Sequence, residues 1–130
     1  MKILVTGATG FIGNHVVMAL LKMGCEVIAT SRSRSIAEKC TWYKDVTYIP
    51  FNIANFRRSP SDLYRFFLEP DCLIDLAWTG LPNYHDAFHF EYNTPIHYSF
   101  IKSLLKGGLK QVVGIGTCLE YGLQSGCLKE

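Results

Sequence analysis

The sequence has no dense tract of lysine and arginine, no Cys-x-x-Cys pair and no Asn-x-Ser/Thr acceptor. It also lacks an uninterrupted apolar stretch of about 18 residues, so no membrane partner is expected. Thirteen Lys plus Arg face 11 Asp plus Glu, a formal charge of only +2. The electrostatic footprint of a nucleic-acid partner is therefore missing, and no nucleic acid is expected. Met1 to Gly7 is too short an apolar run for a signal peptide and leads directly into glycines. The five cysteines (Cys25, Cys40, Cys72, Cys118 and Cys127) are odd in number and lie mostly inside apolar runs. That is the pattern of free thiols in a reducing compartment, and a cytoplasmic location is expected.

What is present is a chain of 130 residues, 48% hydrophobic and 18% charged. One domain of this size buries roughly two thirds of the surface its unfolded chain exposes, enough for a core without disulfides or metal. Lys2 to Thr6 reads as a strand buried on both faces. Phe11 to Met23 reads as a helix stopped by Gly24. Glu26 to Thr30 is the next strand, followed by the basic turn Ser31-Arg32-Ser33-Arg34-Ser35 and a short helical stretch as far as Cys40. Val46 to Pro50 predicts a third strand, Ser61-Asp62 a capped helix through Leu68, and Cys72 to Ala77 a fourth strand. Asp86 to Lys106 has helical spacing, but Pro95 has no N–H to donate, so a kink or restart is expected near Asn93-Thr94. Gly107-Gly108 closes that helix and Gln111 to Ile115 is a fifth strand. Alternating strands and helices argue for an α/β doubly wound parallel sheet with right-handed crossovers. At about 30 residues per strand-helix-strand unit, five strands use up the chain.

Thr6-Gly7-Ala8-Thr9-Gly10-Phe11-Ile12-Gly13 falls between the first strand and the first helix. In that context one glycine permits a tight turn, another lets the backbone approach a pyrophosphate, and another lets helix and strand pack closely. Amides at the helix start then face phosphates, whereas the bland alternative is a glycine turn in an empty α/β protein. The spacing G-x-x-G-x-x-G and the match to T-G-x-x-G-F-x-G at residues 6 to 13 resemble the extended short-chain dehydrogenase/reductase family. This is the NAD-dependent epimerase/dehydratase family, which typically acts on nucleotide-activated sugars. The resemblance implies a Rossmann-like doubly wound sheet, here truncated after about five of the strands in the order 3-2-1-4-5-6. It also implies cofactor contacts at Gly7, Thr9, Gly10, Phe11, Ile12 and Gly13. Residues 1–130 would form the NAD(P)-binding domain of a longer enzyme, without its substrate domain.

An acid about 20 positions beyond the glycine loop would select NAD, whereas arginine there accommodates the 2′-phosphate of NADP. By that register the acidic place holds Ser31 and the next Arg32, with Arg34 close behind, so NADP is expected and NAD is the alternative. A merely solvated basic turn is the competing reading of these charges. Asn52-Ile53 lies where the family carries an acid and an aliphatic residue against the adenine.

Asp75-Leu76-Ala77-Trp78 resembles the family's H-x-A-[AG] element beneath the nicotinamide ribose, with Leu76, Ala77 and Trp78 as contacts. Asp75 departs from the usual histidine and Trp78 from a small residue. Leu81-Pro82-Asn83-Tyr84 continues a stretch resembling some deoxysugar-nucleotide ketoreductases. Asn93 matches the family asparagine that organises a relay water and the helix kink; unsupported, it reads as a cap for the helix restarting at Pro95. Gly116-Thr117-Cys118-Leu119-Glu120-Tyr121-Gly122 resembles S-[ST]-x-x-x-Y-G, which places Thr117 on the catalytic hydroxyl, where it would help polarise a ketone. Dehydratases of the family carry Asp-Glu after that residue; here the pair is Cys118-Leu119, and leucine cannot carry a proton, leaving ketoreductase or epimerase. The family's Tyr-x-x-x-Lys does not follow Thr117 within these residues, and Tyr98 with Lys102 is read as a chance match on a helix face.

His85 and His89 are one helical turn apart, but two ligands without a third read as a solvated face, and no metal is expected. Phe88, Phe90, Phe100 and Ile101 read as core or interface. The resulting expectation is the NADP-binding portion of a nucleotide-sugar 4-ketoreductase or epimerase serving deoxysugar and polysaccharide synthesis, inactive alone. Its partners would be a nucleotide-sugar substrate and, through an unpaired fifth strand, a second copy in a homo-oligomer. The alternative is a non-catalytic dinucleotide-sensing or protein-interaction module of the same fold.

Overall fold

Ile3, Leu4 and Val5 are all buried, although successive side chains of a strand point to opposite faces. Both faces of this strand must therefore be covered, the condition of a parallel sheet inside an α/β fold. The computed structural model, which describes residues 1–56, 60–116 and Gly126, shows how. Strands β1 (Lys2–Val5), β2 (Glu26–Ser31), β3 (Thr47–Pro50), β4 (Cys72–Asp75) and β5 (Gln111–Gly114) form one sheet in the order β3-β2-β1-β4-β5. Every neighbouring pair is parallel, and Leu4 of β1 lies opposite Ile28 of β2 and Leu73 of β4. This is the expected Rossmann-like doubly wound topology.

Helices α1 (Phe11–Lys22) and α2 (Arg34–Ala37) cover one face, where Val17 and Ala37 pack with Ile3, Val5, Val27 and Ala29. Helices α3 (Pro60–Phe66) and α4 (Thr94–Gly107) cover the other, where Leu63, Phe67, Phe100 and Leu104 pack with Leu4, Ile28 and Leu73. Trp42 closes the first core: it is buried, and its indole N–H donates to Asn14 Oδ1 at 2.6 Å.

Several boundaries differ from the sequence reading, each for a local reason. Helix α3 starts at Pro60, one residue before the expected cap, as suits a residue with fixed φ in a first turn. It stops at Phe66 because Leu68 and Glu69 take left-handed backbone, φ 60 and 57°. The helical segment expected from Asp86 begins later: Asp86 Oδ1 accepts from Phe88 N at 2.9 Å, so this residue caps the segment and is not within it. The segment opens as a π-helical turn, His89–Asn93, before running into α4. This is the expected irregularity near Asn93-Thr94, where a widened turn accommodates the missing donor of Pro95. Phe100 is core as expected, whereas Phe90 is exposed.

Candidate functional site

The chain crosses from the β3 edge to β4, on the far side of β1, and thereby leaves a crevice at the carboxyl ends of β1 and β4, where doubly wound sheets bind ligands. A cavity of about 290 Å³ occupies that place, lined by segments that follow each of the first four strands. Of the residues expected to hold a cofactor, Gly7, Thr9, Gly10, Ser31, Arg32, Asn52, Ile53, Leu76, Ala77, Trp78 and Asn93 line it.

The loop is shaped by backbone proximity. Gly7 has φ +62°, and a Cβ there would stand 2.9 Å from the Leu76 carbonyl. A Cβ on Gly13 would stand 2.2 Å from the Gly7 oxygen, so Gly13 serves the contact between helix and loop. Gly10 N donates to Gly7 O at 2.9 Å, and Gly10 caps α1 without any side-chain hydrogen bond. The first amides of α1 are thus left without a side-chain acceptor at the positive end of the helix dipole. A close-approach loop joined to an uncapped helix start fits the diphosphate of a dinucleotide. Phe11 and Ile12 have side chains 85% and 50% exposed, and neither these nor Gly13 line the cavity. What they can offer a phosphate is backbone N–H. Phe11 instead packs edge-on against His15 and borders a neighbouring hollow with Lys39 and Cys40, whose thiol is pushed up by burial.

At the β2 and β3 end, Ser31 is nearly buried with its hydroxyl paired to Tyr48 OH at 2.9 Å. Arg32 is exposed and lines the cavity. Arg34 does not line it: Nη1 donates to Tyr43 OH at 3.2 Å and the guanidinium lies over the Tyr48 ring. The expectation of two arginines at the cavity is corrected to one, because α2 begins at Arg34 and turns it toward Tyr43. Asn52 Oδ1 accepts from Ala54 N at 3.1 Å, capping a short 3-10 turn.

At the β4 end the site is built from side chains. The hydroxyl of Thr6 accepts from the N–H groups of Leu76 and Ala77 at 3.0 and 3.2 Å, and its proton goes to Asp75 Oδ1. A hydroxyl has one proton and two lone pairs, so the direction of that last bond is fixed. Asp75 Oδ2 pairs with His97 Nδ1 at 2.9 Å. Trp78 donates its indole N–H to His89 Nδ1 at 3.1 Å. His89 Nε2 therefore carries the ring proton and donates to Asn83 O at 2.8 Å. The solvated histidine face is corrected: His85 lies on a turn ahead of the helical segment, and both ring nitrogens of His89 are engaged within the fold. Among the described residues no group of three metal-ligating side chains gathers. Asn93 is buried, accepting from Thr79 Oγ1 at 2.9 Å and donating to Thr79 O at 2.8 Å. Tyr98 and Lys102 touch one another on the outside of α4 and do not line the cavity.

His97 was missed from the sequence. The available signal was its spacing, four residues beyond Asn93 and thus on the same helical face. Thr117, the expected catalytic hydroxyl, lies outside the described residues, as do Cys118, Leu119 and Cys127. No helix among the described residues is long and apolar enough to cross a membrane.

Comparison with known proteins agrees with this architecture. The chain is 32% identical over 127 residues to dTDP-6-deoxy-L-talose 4-dehydrogenase (NAD(+)) of Aggregatibacter actinomycetemcomitans, covering 94% of this chain and 43% of that protein. UDP-glucose-4-epimerase of Stenotrophomonas maltophila, solved with NAD and formylated UDP-arabinopyranose, superposes with a TM-score of 0.77 at 20% identity. That match covers 98% of this chain and 40% of the epimerase. Yeast methylglyoxal/isovaleraldehyde reductase with NADPH gives a TM-score of 0.68 at 21% identity over 88% of this chain and 36% of its own. The chain thus spans less than half the length of these relatives. Residues 3–129 match the NAD dependent epimerase/dehydratase family, and the chain belongs to it.

Proposed function

We propose that this chain is the dinucleotide-binding portion of a nucleotide-sugar oxidoreductase or epimerase, acting as a 4-ketoreductase on a deoxysugar nucleotide. The observation that carries the reading is the cavity at the carboxyl ends of β1 and β4, beside a loop in which a Cβ on Gly7 or Gly13 would collide with backbone. The relative named as a dTDP-6-deoxy-L-talose 4-dehydrogenase supports the substrate class and the C4 position. Polysaccharide synthesis and a cytoplasmic site of action accord with that substrate class.

When bound, the nicotinamide supplies or accepts the hydride. Gly7, Thr9 and Gly10 with the start of α1 hold the diphosphate, Asn52 and Ile53 lie beside the adenine, and Leu76, Ala77 and Trp78 border the nicotinamide ribose. By the family resemblance Thr117, outside the described residues, would be the hydroxyl that meets the sugar oxygen that changes between carbonyl and hydroxyl. Proton transfer to that oxygen belongs to the Tyr-x-x-x-Lys pair of the family resemblance. These 130 residues carry no such pair after Thr117, and none of them is assigned that transfer.

The relatives divide between NAD and NADPH. Here the absence of a carboxylate at Ser31 and the presence of Arg32 favour NADP. Calorimetric titration of the chain with NADPH and NADH tests both parts. Tighter binding of NADPH is expected; tighter NADH binding overturns the cofactor preference, and negligible heat with both overturns the dinucleotide reading. The chain is also proposed to self-associate through the edge of β5, which pairs with no further strand among the described residues and beside which Val113 and Ile115 are 40% and 54% exposed. A monomer in sedimentation at high concentration would count against this.

A further inference from the structure

Trp78 lines the cavity and is 42% exposed, yet it is not left to rotate. Its N–H is donated to His89, and its ring centroid lies 6.0 Å from that of His89 and 5.0 Å from that of His97. His97 is held in turn by Asp75, and Asp75 by the Thr6 hydroxyl beneath the glycine loop. The side chains of Asp75 and His97 are only 9% and 11% exposed. Stability alone does not call for a charged pair here, since such a pair replaced together by apolar residues of similar volume is often no less stable. What a fully partnered carboxylate adds is orientation: it fixes one imidazole ring, and that ring abuts the indole.

We propose that His97, oriented by Asp75, is a positioning residue that sets the plane of Trp78, and that Trp78 is the surface on which the nicotinamide half of the dinucleotide rests. This rests on the dinucleotide reading above. With a diphosphate on the glycine loop, the two halves of the ligand lie at the two ends of the cavity. Ser31, Arg32 and Asn52 occupy the adenosine end, while Trp78, Thr79 and His97 line the other. An indole already fixed in place offers a flat heteroaromatic ring a stacking partner without the entropic cost of ordering it on binding. The replacement of a small residue by tryptophan, which by sequence alone looks like an obstruction, becomes a preformed wall.

The test compares the reduced dinucleotide that the wild-type chain binds more tightly with the same molecule lacking nicotinamide, 2′-phospho-ADP-ribose for NADPH or ADP-ribose for NADH. Trp78→Ala is expected to weaken the dinucleotide about tenfold, the scale of one lost stacking contact, and to weaken the nicotinamide-free ligand, which keeps the ribose that Trp78 borders, by a clearly smaller factor. Trp78→Phe, which keeps a ring, stays within about twofold of wild type. His97→Ala weakens the dinucleotide by a smaller factor, and combined with Trp78→Ala adds nothing further, because its effect passes through the indole. Should His97→Ala unfold the chain, His97→Gln, which keeps a donor for Asp75 but has no ring, takes its place with the same expectation. Equal weakening of both ligands, no weakening of either, or additive losses in the double variant overturns the proposal while leaving the dinucleotide reading intact. Wild-type protein that binds neither ligand overturns that reading itself.

Discussion

The two ends of the cavity are made by different means. The glycine loop and the turn after β2 shape a ligand site mainly with main chain: close approaches around Gly7 and Gly13, the uncapped start of α1, and one exposed arginine. The β4 end is made of side chains that fix one another, from Thr6 through Asp75 and His97 to Trp78 and His89. Main-chain geometry tolerates almost any neighbour that is not a glycine replacement, whereas a side-chain network changes as a unit. Thr6 belongs to both: it sits at the entrance to the loop and anchors the network.

The sharpest way to break the contrast is at the loop. Gly13→Val is expected to prevent folding, because even the first carbon would stand 2.2 Å from the Gly7 oxygen and both partners are backbone. The cost exceeds the roughly 3 kcal/mol of ordinary core overpacking, because the crowded atoms are backbone, and takes up most of a small domain's stability. Circular dichroism should show no cooperative melt; a variant that melts like wild type and binds dinucleotide would show that the loop is not fixed by close approach. Next in size is Thr6→Val, which keeps the volume but strands two amides and removes a proton donor from Asp75. A loss of about 3 kcal/mol is expected, with Thr6→Ser restoring most of it by returning the hydroxyl. If valine and serine behave alike, the hydroxyl does not join the two ends.

Arg32→Ser probes the adenosine end alone. NADPH binding should fall about tenfold or more, the scale of a charge-assisted hydrogen bond, with NADH binding unchanged. Equal loss for both cofactors would mean that Arg32 meets the diphosphate or nothing specific, and the contrast between the cofactors would need another source.

The same division explains what could be read before the structure. Short, mostly apolar strand runs, a helix that ends at Gly24, and a proline that forces a restart at Asn93 are local signals, and each led to its element within a residue or two. The glycine spacing is equally local. Asp75 was recognised as a departure, but its meaning depends on His97, a residue 22 positions away that belongs to no motif. His89 was misjudged because Asp86 looks like the interior of a helix when it is in fact its cap. Arg34 was assigned by proximity in sequence, and the turn of α2 carried it to Tyr43 instead. Periodicity reports which face a residue occupies, but not which partner from another element meets it there.

The smallest effect lies at the opposite end of the sheet and serves as a control. Asp71 sits just before β4 and accepts from Lys2 N at 2.9 Å, with the Lys110 ammonium 3.5 Å away. The Lys2 amide holds its carboxyl below the usual carboxylate range; desolvation opposes it more weakly, and the charge of Lys110, a smaller effect again, adds to the lowering. A lowered folded-state pKa means that the unfolded chain takes up the proton first. The stabilisation is therefore complete above the ordinary value of about 4 and is lost as pH falls through the depressed one. Asp71→Asn removes the charge but keeps an acceptor for Lys2. The melting temperatures of wild type and variant should differ slightly at pH 7 and converge in acid, with a gap that narrows in high salt because Lys110 is exposed. Dinucleotide affinity should not move, since Asp71 lies at the amino ends of the strands and the cavity at their carboxyl ends. A change in affinity would show that the β4 network feels the whole length of its strand, and the boundary drawn at Thr6 would then have to be redrawn.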